Sequence, residues 1–411
     1  MTQAERPEGP WSPLHQLRSV EKWEDPCPFW DEDGQAYLGR SQHGAGPIIV
    51  HRMSADGREL LDDGRIVYTG PVAEGTKWLK RNGWYYLSIP EGGVGEGWQT
   101  VLRSRNIYGP YEKRVVLEQG STAVNGPHQG AIVEAADSTW WFYHFQHDGA
   151  LGRVVHLQPM HWHDDWPVIG VDIDRNGIGE PVYVWRCPSV TPSTGADEQR
   201  LTVGKSDFGR LAIPADERGG VRLSPQWQWN HNPVDAAWSL TQPAGALTLR
   251  ALCAADFMHA RNTLTQKVVG YESEVTAVVD LSNLADGGRC GLVAMGKGSQ
   301  LLGVTKRDGK LWLYRGSVSI PARKGLPEEL TESDLCPVKG NRIFLRLRFD
   351  MRAKANQFSY STDGKHFSPV SDPFFVLFGN WKGVRFGIYH YNTEADAGSI
   401  TVRDVKYEVL L

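Results

Sequence analysis

Three segments in the first ~150 residues follow one plan, and that plan limits the fold more than any other feature. EDPCPFWDEDGQAYL starts from Asp25, runs through a short apolar strand, turns at Asp33-Gly34 and returns as a strand. EGTKWLKRNGWYYL does the same from Glu74 and turns at Asn82-Gly83. HQGAIVEAADSTWWFYHF does it from His128 and turns near Asp137-Ser138. The leading polar residue precedes its turn by nine, nine and ten residues, and the segments recur after 49 and then 54 residues. Asp-Gly and Asn-Gly between apolar runs are hairpin signals, because tight hairpin turns need residues that tolerate a positive φ. A repeat of about 50 residues has the length of a four-stranded β-propeller blade. Asp25, Glu74 and His128 head the first hairpin of each unit. If those hairpins supply the innermost strands, the three side chains converge on one axis.

Residues 20–187 hold about three such units. A closed ring takes roughly four to eight, so three alone leave open sheet edges that invite pairing with other strands. The stretch 188–220 is rich in Pro, Ser, Thr, Asp and Gly and reads as a linker. From 221 to 411 the pattern changes to strands that alternate apolar and polar residues, as a β-sandwich requires. Strands are expected at 247–252, 270–279, 291–295, 300–305, 310–314, 342–349, 357–361, 383–389 and 400–407, with a hairpin turn at Asp363-Gly364. The expected class is all-β: a partial β-propeller over 1–187, a linker, and a sandwich.

Net charge is −4, with no basic run. That argues against nucleic-acid and anionic-membrane partners. No stretch approaches the roughly 20 apolar residues that span a bilayer. Residues 1–11 are polar and proline-rich and lack an apolar signal core, so the chain as it stands is expected in the cytoplasm. Five dispersed cysteines, Cys27, Cys187, Cys253, Cys290 and Cys336, read as free thiols in place of a disulfide framework or zinc site. Sixteen Trp are many. Most are expected to fill β-cores, and some to face the apolar side of a sugar ring.

Converging Asp25 and Glu74 point to glycoside hydrolysis, which needs one carboxylic acid to protonate the leaving oxygen and one carboxylate to act across the sugar. Small neighbours let Glu74 reach into a cleft, where partial desolvation is expected to raise its pKa toward general-acid duty. The competing readings are a turn cap for Glu74 and a strand-start turn former for Asp25. His128 lies in NGPHQG, among residues that fix the backbone; a satisfied structural imidazole is the competing reading. Arg153 carries a fork of donors suited to sugar hydroxyls, against the alternative of a surface ion pair. His156, His161, His163, Asp164 and Asp165 resemble a metal cluster, but the alternation in His161-Trp162-His163 favours a solvated edge.

At these residues the chain resembles glycoside hydrolase family 43, in EDPCPFWDEDGQAYL, EGTKWLKRNGWYYLSIPEGGVGEGW, GPYE, NGPHQGAIVE, WWFYHFQHDGALGRVVHLQPMHW and DDWPVIG. The branch it resembles holds β-xylosidases and α-L-arabinofuranosidases with a C-terminal concanavalin-like jelly roll, which QWQWNHNP, LTQKVVG and FSYSTDGKHF resemble in turn. The resemblance implies a five-bladed propeller and an inverting mechanism releasing xylose or arabinose from xylan- or arabinan-derived oligosaccharides. By it, Glu74 matches the general acid and Asp25 the aspartate that orients that acid and holds its pKa up. His128 matches the axial histidine beside a water-coordinated cation, a structural Ca2+ on the axis, with no cofactor required for the chemistry. Arg153 and His128 match the sugar-binding subsite. The family's general base, an early Asp-Pro aspartate of the first blade, has no counterpart; the sequence is expected to start after two blades. Self-association through open edges is expected in consequence. A catalytically impaired carbohydrate-binding or interaction protein is the competing function.

Overall fold

A computed structural model describes residues 1–6, 9–44, 46–186, 188, 204–206, 223, 226–241, 243–323, 326–370, 372–379 and 381–410. The chain divides into two compact units, Met1–His147 with Arg153–Ser193, and Asp148–Gly152 with Thr194–Leu411. The reading of 1–187 as one unit therefore misses a five-residue segment, Asp148–Gly152, that groups with the second. Cys187 and most of the expected linker lie outside the described residues.

The first unit contains three four-stranded antiparallel sheets, one for each repeat. The first holds β1 (Trp23–Trp30), β2 (Ala36–Gln42), β3 (Ile48–Met53) and β4 (Arg65–Tyr68). The second holds β5 (Lys77–Arg81), β6 (Trp84–Glu91), β7 (Trp98–Ser104) and β8 (Glu112–Leu117). The third holds β9 (His128–Glu134), β10 (Trp140–Asp148), β11 (Gly152–His163) and β12 (Trp166–Ile169). Each sheet is a meander in chain order. The turn residues act as their chemistry dictates: Asn82 and Gly83, at φ 51° and 70°, close a two-residue hairpin between paired Arg81 and Trp84.

Apolar side chains fill the spaces between successive sheets and pack the N-terminal segment on the first. Ile48, Leu87, Ile89 and Leu102 form one buried cluster, with Trp78 against it. Tyr86, Val101, Phe142, Met160, Trp166 and Ile169 form another. Ala36, Leu38 and Met53 form a third, against which Met1, Leu17 and Leu60 pack.

The second unit is a sandwich of two antiparallel sheets. One runs in the order Trp238–Thr241, Ala244–Arg250, Ser399–Val409, Glu272–Asp280, Arg342–Asp350, Gln357–Ser361, Ser368–Pro369, with Gly204–Ser206 also paired to Ser399–Val409. The other runs Trp227–Trp229, Thr263–Lys267, Arg385–Asn392, Gly288–Met295, Gln300–Arg307, Lys310–Val318, Leu330–Pro337. Period-two alternation places Ile343, Leu345, Leu347 and Phe349 in the core and leaves Arg342 and Arg348 outside. All nine expected strands are present. Gly204–Ser206 corrects the linker reading: its pairing partner lies about 200 residues away in sequence, where no local signal can reveal it. The Asp363-Gly364 hairpin is wider than a two-residue turn, because the Asp363 carboxylate gathers the N–H groups of Lys365 and His366 before the chain re-pairs at Ser368.

Candidate active site

The three repeat heads meet. In each sheet the chain enters through a left-handed residue: Asp25 at φ 51°, Gly75 at 62° and Gln129 at 47°. In the second and third sheets this residue lies one position after the expected equivalents, Glu74 and His128. At the first head, β1 carries an irregularity between Glu24 and Cys27, which turns the Asp25 carboxylate out of the ladder. Its Oδ2 accepts the Gly75 N–H at 2.8 Å and the Gln129 side-chain amide at 3.3 Å. Asp25 thus ties the first sheet to the heads of the other two.

Glu74 sits just ahead of β5, held by its own N–H to the Pro90 carbonyl at 3.2 Å. Its Oε1 lies 2.7 Å from Nε2 of the fully buried His128. The imidazole's other nitrogen, Nδ1, is buried with no hydrogen-bond partner among the described residues. Phe145 pairs opposite His128 on β10. Its ring lies 5.6 Å from the imidazole and 4.3 Å from the Arg153 guanidinium. Burial pulls the Arg153 pKa down, while Glu74 and Asp25 act to hold its charge. Arg153 is therefore half-buried against a ring and faces two carboxylates, unlike a surface ion-pair residue.

The electrostatics correct the expected acid. The Glu74 pKa is lowered, first by the His128 hydrogen bond, against which burial raises it, and then by the charge of His128, by Arg153 and by Gln129. Desolvation acts in the direction the sequence suggested, but the partners outweigh it.

The sequence-derived cluster of histidines and aspartates does not assemble. His161 and His163 are exposed on β11, while His156 stacks on buried His144 at 5.2 Å. Asp165 instead accepts from Arg81 and Asn82 across the second sheet. Among the described residues no group of three or more ligating side chains could hold a metal ion. Cys27, Cys253, Cys290 and Cys336 are free. Sequence reasoning missed Gly75, Gln129 and Phe145. Gln129 had one available signal, its place beside His128 at the head of a repeat.

Comparison with known proteins identifies the two domains. Residues 1–167 match the model of glycosyl hydrolases family 43, and residues 217–408 match the β-xylosidase C-terminal concanavalin A-like domain. A protein of Xylanibacter ruminicola named putative beta-xylosidase is 53% identical over 387 residues, covering 94% of this chain and 68% of that one. The chain belongs to glycosyl hydrolase family 43. A relative named beta-xylosidase, from Formosa agariphila, is 33% identical over 97% of this chain and 72% of its own length. A solved Bacteroides eggerthii protein described as bifunctional GH43-CE superposes with a TM-score of 0.76 at 26% identity. It covers all of this chain, which spans about half (51%) of its length. As a family 43 chain, this protein joins a propeller-like N-terminal unit to a C-terminal β-sandwich.

Proposed function

We propose that this chain carries the proton-donating half of an inverting, pentose-releasing glycosidase that acts on xylan-derived oligosaccharides, with arabinose as the alternative product. The observation that carries the reading is the Glu74–His128 pair, brought together from two sheets and flanked by Arg153 and Asp25. Glu74 would protonate the departing glycosidic oxygen. Arg153 would hold sugar hydroxyls, and Asp25 would orient the loop that bears Glu74 through the Gly75 N–H. The names of the Xylanibacter and Formosa relatives support xylose.

Inversion also needs a carboxylate about 6.5–9.5 Å from the acid, across the sugar, to activate water. Among the described residues, the carboxylates tied into this cluster are Asp25 and Glu74. Asp25 is already engaged by two donors. We therefore read the three sheets as part of a five-bladed ring whose base lies elsewhere. A base across the sugar would also add the negative charge that lifts the Glu74 pKa into an acid's range. The free Nδ1 of His128 fits an indirect contact, through water, with a Ca2+ on the axis; that ion would supply positive charge there, and an oxygen-seeking cation takes water readily.

The test is xylobiose and arabinobiose binding by calorimetry, followed by assay on the matching aryl glycosides. Xylobiose should bind, and Arg153→Met should weaken it by about 10- to 100-fold, as expected for lost hydrogen bonds to a charged group. Turnover by the chain alone should be small. No pentose binding, or binding indifferent to Arg153, would contradict the reading.

A further inference from the structure

Gln129 sits at φ 47°, a region that costs an L-residue about 1–2 kcal/mol and that glycine enters freely. At the matching place in the second sheet the residue is Gly75. A glycine would suit the backbone at 129 as well, so what distinguishes Gln there is its side chain. The amide donates to Asp25 Oδ2 at 3.3 Å, and Gln129 is also among the groups that act to lower the Glu74 pKa. The NH2 group carries two hydrogens, so the donor that serves Asp25 has a second hydrogen to offer beside Glu74.

The neighbouring residue makes room for this reach. A Cβ on Gly75 would lie 3.0 Å from Gln129 Cγ and 2.7 Å from Pro90 Cδ. Gly75 is thus both a donor to Asp25 and the gap over which Gln129 passes. The neutral amide adds no charge to a site that already holds Asp25, Glu74, Arg153 and His128. A carboxylate at 129 would add a third like charge and remove the donors. Strained backbone kept at a functional site, with its side chain aimed at the reacting groups, is a recurrent sign of preorganisation.

We infer that Gln129 is a positioning residue that fixes the Asp25 and Glu74 carboxylates relative to one another. The inference rests on the proposed role of Glu74, but its test does not need turnover. The full chain is labelled with 13C at Asp and Glu carboxyl carbons and observed at one neutral pH without substrate. The two resonances are identified by their loss in Glu74→Gln and Asp25→Asn. In Gln129→Met, which keeps length without donors, both carboxyl signals should shift while the melting temperature stays close to the parent. In Gln129→Gly, which also removes the strain, the same two signals should shift with an equal or higher melting temperature. Unmoved Asp25 and Glu74 signals in a folded variant would overturn the inference. So would failure of both variants to fold, which would make Gln129 a structural residue only. Loss of pentose binding by the parent chain would refute the proposed function and leave this result standing.

Discussion

Gly75 shows how much one residue can decide. It holds φ 62°, gives its N–H to Asp25, and leaves no room for a Cβ beside Pro90. Gly75→Ala should destabilise the first unit by about 1–3 kcal/mol through backbone strain and contact. Urea unfolding would register it; a neutral effect would mean that the head of the second sheet is slack. Glu74 adds a pH dependence with a defined sign. Its folded pKa is lowered from the ordinary 4.5, with His128 the first cause. The stability it contributes is therefore fully present above about pH 4.5 and is lost as pH falls through the lower folded value. Melts of the parent and Glu74→Gln should differ at pH 6 and converge on acidification; a constant gap would remove the pairing as its source. Glu74, Asp25, His128 and Arg153 were all legible as candidates, because the repeat aligns its heads or the family resemblance marks them. Gln129 and Phe145 were not, because one acts through a left-handed backbone and the other through ring packing; only the place of Gln129 beside His128 pointed toward it.

At the level of strands, the hairpin signals and the alternation carried most of the fold. Short strands without either, such as Thr263–Lys267 and, beside it at the sheet edge, Trp227–Trp229, become strands only by pairing with a neighbour distant in sequence. The sandwich core also holds a polar contact that patterning cannot foresee. Tyr314 and Tyr389, both fully buried, share a hydroxyl hydrogen bond of 2.7 Å between Lys310–Val318 and Arg385–Asn392. Tyr389→Phe alone strands the Tyr314 hydroxyl and should cost about 1–3 kcal/mol. The double change with Tyr314→Phe should recover part of that loss, since no polar group is then left unpaired. A double variant no better than the sum of the two singles would contradict the pairing.

For the whole molecule, the family and its two domain types were readable, whereas the placement of Asp148–Gly152 with the second unit was not, because it depends on contacts made only after folding. The proposed function makes Glu74 the acid and puts its base elsewhere. Azide tests this directly, because a small anion can attack the anomeric carbon where no carboxylate activates water. Azide bound across the sugar supplies the negative charge that raises the Glu74 pKa; the new C–N bond forms on the face opposite the leaving group, the glycosidic C–O bond breaks, and the Glu74 proton goes to the departing oxygen. Assayed on an aryl β-xyloside with a poor leaving group, the chain should be nearly inert in buffer. It should turn over with azide to give the inverted glycosyl azide, and lose about 10²–10⁴-fold of that rate in Glu74→Gln. Ordinary hydrolysis without azide, or azide-driven turnover indifferent to Glu74, would contradict the claim.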